Sequence, residues 1–230
     1  MKKKQPFTFV IRIVAYKLCT MKNIKILSVL SAVGLVFASC VEHEVIPPPR
    51  PEVELECSFV AELDGEPYEL VEAVDDFYCE PNQAKVLNPS PQPSFITYFA
   101  SMRGDQEQDY IQIKLGRLQF NADQSSVPEV EDFEAFFNNN QAPGLSKEAT
   151  NGVEIIYRDN QGKVWTSTPE TEDPHNFMFS SVSLESDEEN DYMKFVASFS
   201  CNLYDDIEDP MDTLRIDNAI YRSYFTRSKD

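Results

Sequence analysis

The feature that most constrains this chain is a repeated alternation of residue character with a period of two. Its clearest instance is Phe195, Ala197, Phe199, Cys201 and Leu203, interleaved with Val196, Ser198, Ser200 and Asn202. A helix would scatter the first set around its circumference, whereas a strand gathers it on one face. Cys57, Phe59, Ala61 and Leu63 repeat the pattern up to Asp64-Gly65, a hairpin signal, and the run from Tyr68 to Val74 is the expected return strand. Residues 95–102 form a short apolar run. Ile111, Ile113 and Leu115 share one parity while Leu118 and Phe120 fall on the other, so the spacing predicts a β-bulge at Gly116, with glycine supplying backbone freedom.

Later segments continue the theme. Val153, Ile155 and Tyr157 lead into a turn at residues 159–162, and residues 163–168 return. Trp165 lies in that return strand and is expected in cross-strand or core packing, not as a sugar platform. Residues 177–184 and 195–203 read as partners across an acidic loop at 186–190. The segment 213–225 breaks at Asp217-Asn218 and ends on Tyr221, Tyr224 and Phe225. One stretch has a different period: Val130, Phe133, Phe136 and Phe137 share a helical face after Ser126, Pro128 and the acids Glu129, Glu131 and Asp132, which predicts a core-covering helix over residues 127–139. The expected fold is all-β with one short helix, as an antiparallel β-sandwich or a partly open β-barrel.

The first 53 residues have a separate logic. Residues 21–40 begin with Lys22 and Lys25, continue with an apolar stretch at 26–37 too short to cross a bilayer, and end in Ala38, Ser39 and Cys40. This resembles a bacterial lipoprotein signal peptide, with Phe37 where Leu, Val or Ile is usual. The resemblance implies that Cys40 becomes the lipidated first residue. Residues 1–20 are a further basic piece ahead of a usable start at Met21, so residues 1–39 are read as leader. Residues 40–53 are read as a Pro-rich, acidic tether of extended polyproline type, and residues 54–230 as a single β-rich domain. Glu42 and Glu44 partly resemble the acidic surface-export signal of Bacteroidota lipoproteins. Val41, where retained lipoproteins carry Asp, is similar to outer-membrane lipoproteins.

Charge narrows the partners. Seven of the 20 basic residues and none of the 39 acidic ones precede Cys40, which leaves 13 against 39 and a net charge of −26. Such a surface repels phosphate backbones and anionic headgroups, so nucleic acid is not an expected partner and membrane attachment falls to the acyl chains.

Chemistry-bearing residues are sparse. Cys57, Cys79 and Cys201 are an odd number for a disulfide framework, which leaves two readings: buried thiols, or one disulfide with one thiol over. The two histidines, His43 in the tether and His175 in a loop, belong to no nucleophile or zinc motif. The acidic clusters at residues 187–191 and at Asp205, Asp206, Glu208, Asp209 and Asp212 read as solvated loops. Calcium is the competing use. No catalytic, metal or cofactor residue is therefore assigned, and no cofactor is expected.

The segments GVEIIYRDNQGKVWTST, FMFSSVSLES, YMKFVASFSCNLYDD and LRIDNAIYRSYF, together with Asp64-Gly65, resemble small β-rich lipoproteins of unknown function common in Bacteroidota. That resemblance covers most of residues 55–225 and implies a fold and an address: outer membrane, facing the periplasm or the exterior. The expected function is a lipid-anchored, non-catalytic binding or structural module with a protein or glycan partner. The alternative is a surface hydrolase acting on glycans through a carboxylate pair.

Overall fold

The computed structural model describes residues 52–74, 76–104, 109–123, 125–169, 175–206 and 212–229. Cys40, His43 and the whole leader lie outside the described residues. The strands are β1 (Ser58–Leu63), β2 (Glu66–Val71), β3 (Phe77–Val86), β4 (Ser94–Gly104), β5 (Tyr110–Phe120), β6 (Gly152–Arg158), β7 (Val164–Thr166), β8 (Asn176–Ser186), β9 (Asn190–Tyr204) and β10 (Thr213–Ser228). One α-helix, α1 (Val130–Asn139), lies between β5 and β6. The architecture is all-β with one short helix, as expected, in the form of a single antiparallel sheet curled into a half-barrel.

Topology explains the curl. The sheet runs β2-β1-β10-β9-β7-β6-β5-β4-β3, with β8 branching off β9. Its two end strands, β2 and β3, are consecutive in the chain and joined only by residues 72–76. A connection that short reaches about 20 Å at most, so a flat nine-strand path about 40 Å wide is excluded and the ends must come round toward each other. A disulfide between Cys57, just before β1, and Cys79 on β3 ties the same two ends with a Cα separation of 6.2 Å. Of the two cysteine readings, the disulfide with one thiol over is the one adopted. Cys201 remains a buried free thiol, and burial pushes it up to about 12.

The curled sheet encloses an aromatic core. Phe199 stacks on Phe59 and Phe177 at ring separations of 6.2 and 5.7 Å, and Phe195 stacks on Phe225 at 4.7 Å. Helix α1 brings Phe133 and Phe137 into this core, where Tyr98 lies 5.2 and 5.6 Å from their rings. The helix is core-covering as its periodicity predicts, but it starts at Val130 and not at residue 127, since Pro128 and Glu129 precede the first turn.

Two local expectations need correction. The bulge falls where predicted: Ile96 pairs with Leu118 and Thr97 with Gly116, which leaves Arg117 as the extra residue. The glycine is there for space, however, because a Cβ at 116 would collide with the Ala149 carbonyl and sit 3.0 Å from Thr97 Oγ1. The return strand after Asp64-Gly65 ends at Val71, short of Val74. Strand β3 is not foreshadowed by any pattern in the chain. Its sequence FYCEPNQAKV lacks alternation and contains Pro81, which is tolerated because β3 pairs only with β4.

Candidate functional site

One face of β8, β9 and β10 packs into the interior, and the opposite face of the same strands is the candidate site. On β9 the outward residues are Lys194, Val196, Ser198 and Ser200, each half-buried because neighbouring strands shoulder over them. Register lines up Val60, Ile220, Ser198 and Met178 in one row across β1, β10, β9 and β8. Val60, Ile220 and Met178 are 43, 43 and 50% exposed, so three large apolar side chains face solvent in a single band. A band of this kind, edged by polar groups, marks a binding surface more often than scattered apolar residues do.

Two adjoining shallow clefts follow the band. One, of about 460 Å³, contains Met178, Ser198, Ser200, Asn218 and Ile220. The other, of about 300 Å³, lies one row further along and contains Ser181, Ser183, Val196, Arg222, Lys194 and Glu56. The Lys194 ammonium lies 3.0 Å from the Glu185 carboxylate, which fixes a paired charge at the margin. Ser, Asn and Arg supply donors and acceptors in both clefts, while Val, Ile and Met supply dry contact. Chemically this surface can hold an extended or flat partner by apolar contact and hydrogen bonds.

A second polar constellation sits at the rim where β4 turns to β5 and β6 to β7. The Tyr68 hydroxyl donates to Asp109 Oδ2 at 3.2 Å, and the Tyr68 and Tyr157 rings meet edge to face at 5.6 Å. Burial raises the Asp109 carboxyl above the usual range against the pull of the Tyr68 hydroxyl, and the nearby Asp159 charge adds to the rise. Asp159 goes the other way. Burial pushes it up, but hydrogen bonds from the Trp165 indole and from the Lys163 and Gln161 amides outweigh that and leave it lowered. Both Asp159 oxygens are thereby spent on organising the turn.

Trp165 pairs across the strands with Tyr157 and packs against the core, with the Lys163 ammonium 4.1 Å from its ring centroid. The same ammonium bridges Asp205 at 3.2 Å and Asp212 at 2.6 Å, so part of the second acidic cluster is gathered by a lysine; Glu208 and Asp209 lie outside the described residues. In the first cluster, Asp187 accepts the amides of Glu189 and Asn190 and the Tyr192 hydroxyl, which closes a hairpin. Asp191 is buried and engaged by Ser186, Arg227 and Lys229. His175 is exposed ahead of β8. Cys57, Cys79 and Glu72 bring their ligand-type atoms within 4.8 Å of one another, but the disulfide takes both sulfurs and Glu72 accepts the Cys57 amide at 3.0 Å.

Sequence reasoning missed the band. Its only trace in the chain is Val60, Met178, Val196 and Ile220 standing at positions whose parity otherwise carries polar residues. Comparison of the chain with protein-family models, with curated proteins and with solved structures gives no match.

Proposed function

We propose that this chain is an exported lipoprotein of the Bacteroidota type, anchored in the outer membrane through acyl chains on Cys40, whose domain binds a partner without catalysis through the outer face of β8, β9 and β10. The band of exposed Val60, Ile220 and Met178 beside two clefts carries the binding part of this reading. Aromatic side chains such as Phe59, Phe195, Phe199 and Phe225 pack the described interior, which places the polar and apolar groups available to a partner on the outer face. The Cys57–Cys79 disulfide supports export, since such bonds persist in oxidising compartments. The net charge of −26 over residues 40–230 argues against nucleic acid as the partner.

Replacing Cys40 with Ser tests the anchor: the variant is expected to lose detergent-phase partitioning and the mass of the acyl chains, and unchanged partitioning and mass would refute it. A photo-reactive residue at position 220 tests the face. A discrete cross-linked adduct is expected there and not at exposed Asn160, while equal labelling at the two positions would sink the binding surface. A second reading, a glycan hydrolase working at the rim, draws on the opposite shifts of Asp109 and Asp159. The full engagement of Asp159 in its turn weighs against it, and loss of glycan turnover in Asp109→Asn is the result that would promote it.

A further inference from the structure

Strand β8 is the branch of the sheet, paired with β9 on one side. Its hairpin with β9 closes on the Asp187 amide donating to the Asn190 carbonyl at 3.0 Å. Counting back along an antiparallel ladder, Glu185, Ser183 and Ser181 aim their backbone groups at β9, whereas Ser186, Leu184 and Val182 aim theirs away. Nearer its start the outer edge is covered: the Phe179 amide donates to the Gln141 carbonyl at 2.7 Å, in the loop that follows α1. The comparable edge of β6 is covered too, by residues 144–146 through the amides of Ser146 and Val153. From Val182 to Ser186, no backbone hydrogen bond reaches β8 from its outer side among the described residues.

An open edge is a template for another strand, and proteins commonly block such edges with lysine, proline or a bulge. This stretch, SVSLES from Ser181 to Ser186, has no proline and no lysine, and its bulge lies before it, at Ser180. Its one charged residue, Glu185, is already paired with Lys194. Val182 and Leu184 point to the core side yet are only half-buried, so apolar surface continues past the edge.

We infer that the occupant of this edge is a second copy of the same chain, joined by antiparallel pairing of the two β8 strands about a two-fold axis at Ser183. In that register Val182 faces Leu184 of the other copy, and Leu184 faces its Val182, which covers the half-buried apolar pair on the core side. The two Ser183 side chains meet on the outer side with no bulk to clash. Each Glu185 faces Ser181, and the two Glu185 positions stand about 13 Å apart along the strands, beyond the screening length at physiological salt. Residues 40–230 carry a net charge of 13 minus 39, or −26, and repel their own kind over most of their surface, and this edge is a place where two copies meet without opposing carboxylates. The outward residues Met178, Ser181 and Ser183 would then join the two outer-face clefts across the dimer axis.

The test uses the purified full chain at micromolar concentration with Ser183→Cys and a short bis-maleimide, read against the parent chain and against Asn160→Cys in an exposed turn. The expected result is a dimer band at least tenfold stronger for Ser183→Cys than for either control. Adding Val182→Pro removes an outward amide and leaves the amides facing β9, and adding Val182→Lys places a charge at the edge with the backbone intact; each is expected to abolish the band. Cross-linking of Ser183→Cys no stronger than that of Asn160→Cys, or a dimer band that survives Val182→Lys in folded protein, overturns the proposal. These outcomes do not depend on lipidation of Cys40, so a failure here is distinct from a failure of the anchor.

Discussion

The two faces of β9 are cut from alternate residues of one 15-residue strand, yet they answer to different physics. Inward, Phe195, Ala197, Phe199, Cys201 and Leu203 are each at most 3% exposed and meet rings from β1, β8 and β10. Outward, Val196, Ser198 and Ser200 are only half-buried and border clefts. Backbone pairing fixes both faces equally, so register is common to them and side-chain burial is what separates them. The inner face sets stability. The outer face can carry recognition because stability does not depend on it.

This contrast makes unequal demands on mutants. The largest effect is expected from Phe199→Ala, which opens a cavity among Phe59, Phe177 and the rest of the cluster and should cost about 3 to 5 kcal/mol in denaturant titration. A loss below about 1 kcal/mol would mean that the inner face is not the stabilising one. Next comes the seam that keeps the inner face enclosed. Converting both Cys57 and Cys79 to Ser frees a loop of sequence separation 22 and should lower stability by about 3 kcal/mol, with a matching drop when the parent is reduced.

Asp191 sharpens the comparison because it is the charged member of the inner parity on β9, buried against Arg227. Burial alone would push its carboxyl up, but bonds from Ser186, Arg227 and Lys229 prevail and hold it below the usual range. A lowered folded value stabilises the native state above the unfolded value of about 4, and that stabilisation disappears as pH falls through the folded value. Asp191→Asn should therefore cost about 2 kcal/mol at pH 7, and the gap to the parent should close as pH drops below about 4. A gap independent of pH down to about 2 would show that packing, and not charge, is at stake. The smallest effect is expected on the outer face: Ile220→Ser should change stability by less than about 0.5 kcal/mol while lowering photo-cross-linking from a probe at Met178.

Strands with an apolar face were legible in the chain because burial on one side imposes a period of two, as in β1 and β9. Helix α1 was legible for the matching reason at its own period. Strand β3 was not, since an end strand half-exposed on both sides needs no alternation and can hold Pro81. Gly116 was located correctly but for the wrong reason, because the carbonyl of Ala149 that crowds it comes from a segment distant in sequence. The outer-face band escaped notice for a similar cause. Val60, Met178 and Ile220 are ordinary single residues until register sets them side by side. Lys163 gathering Asp205 and Asp212 likewise depends on a turn and a strand end that only the folded sheet brings together.

Strand β1 pairs with β10, so that Phe59 sits opposite Tyr221, and the first and last strands of the domain are neighbours in the sheet. Wherever the domain folds, β1 completes its pairing only when β10, more than 150 residues further along the chain, is available. Contacts this remote in sequence place the domain among slow folders, on the millisecond to second scale. Without β10 one edge each of β1 and β9 is bare, and the Tyr221 ring is missing from beside Phe59. A chain lacking β10 is expected to be sticky and protease-sensitive. Closure of the sheet thus depends on a pairing between two of its most sequence-distant strands.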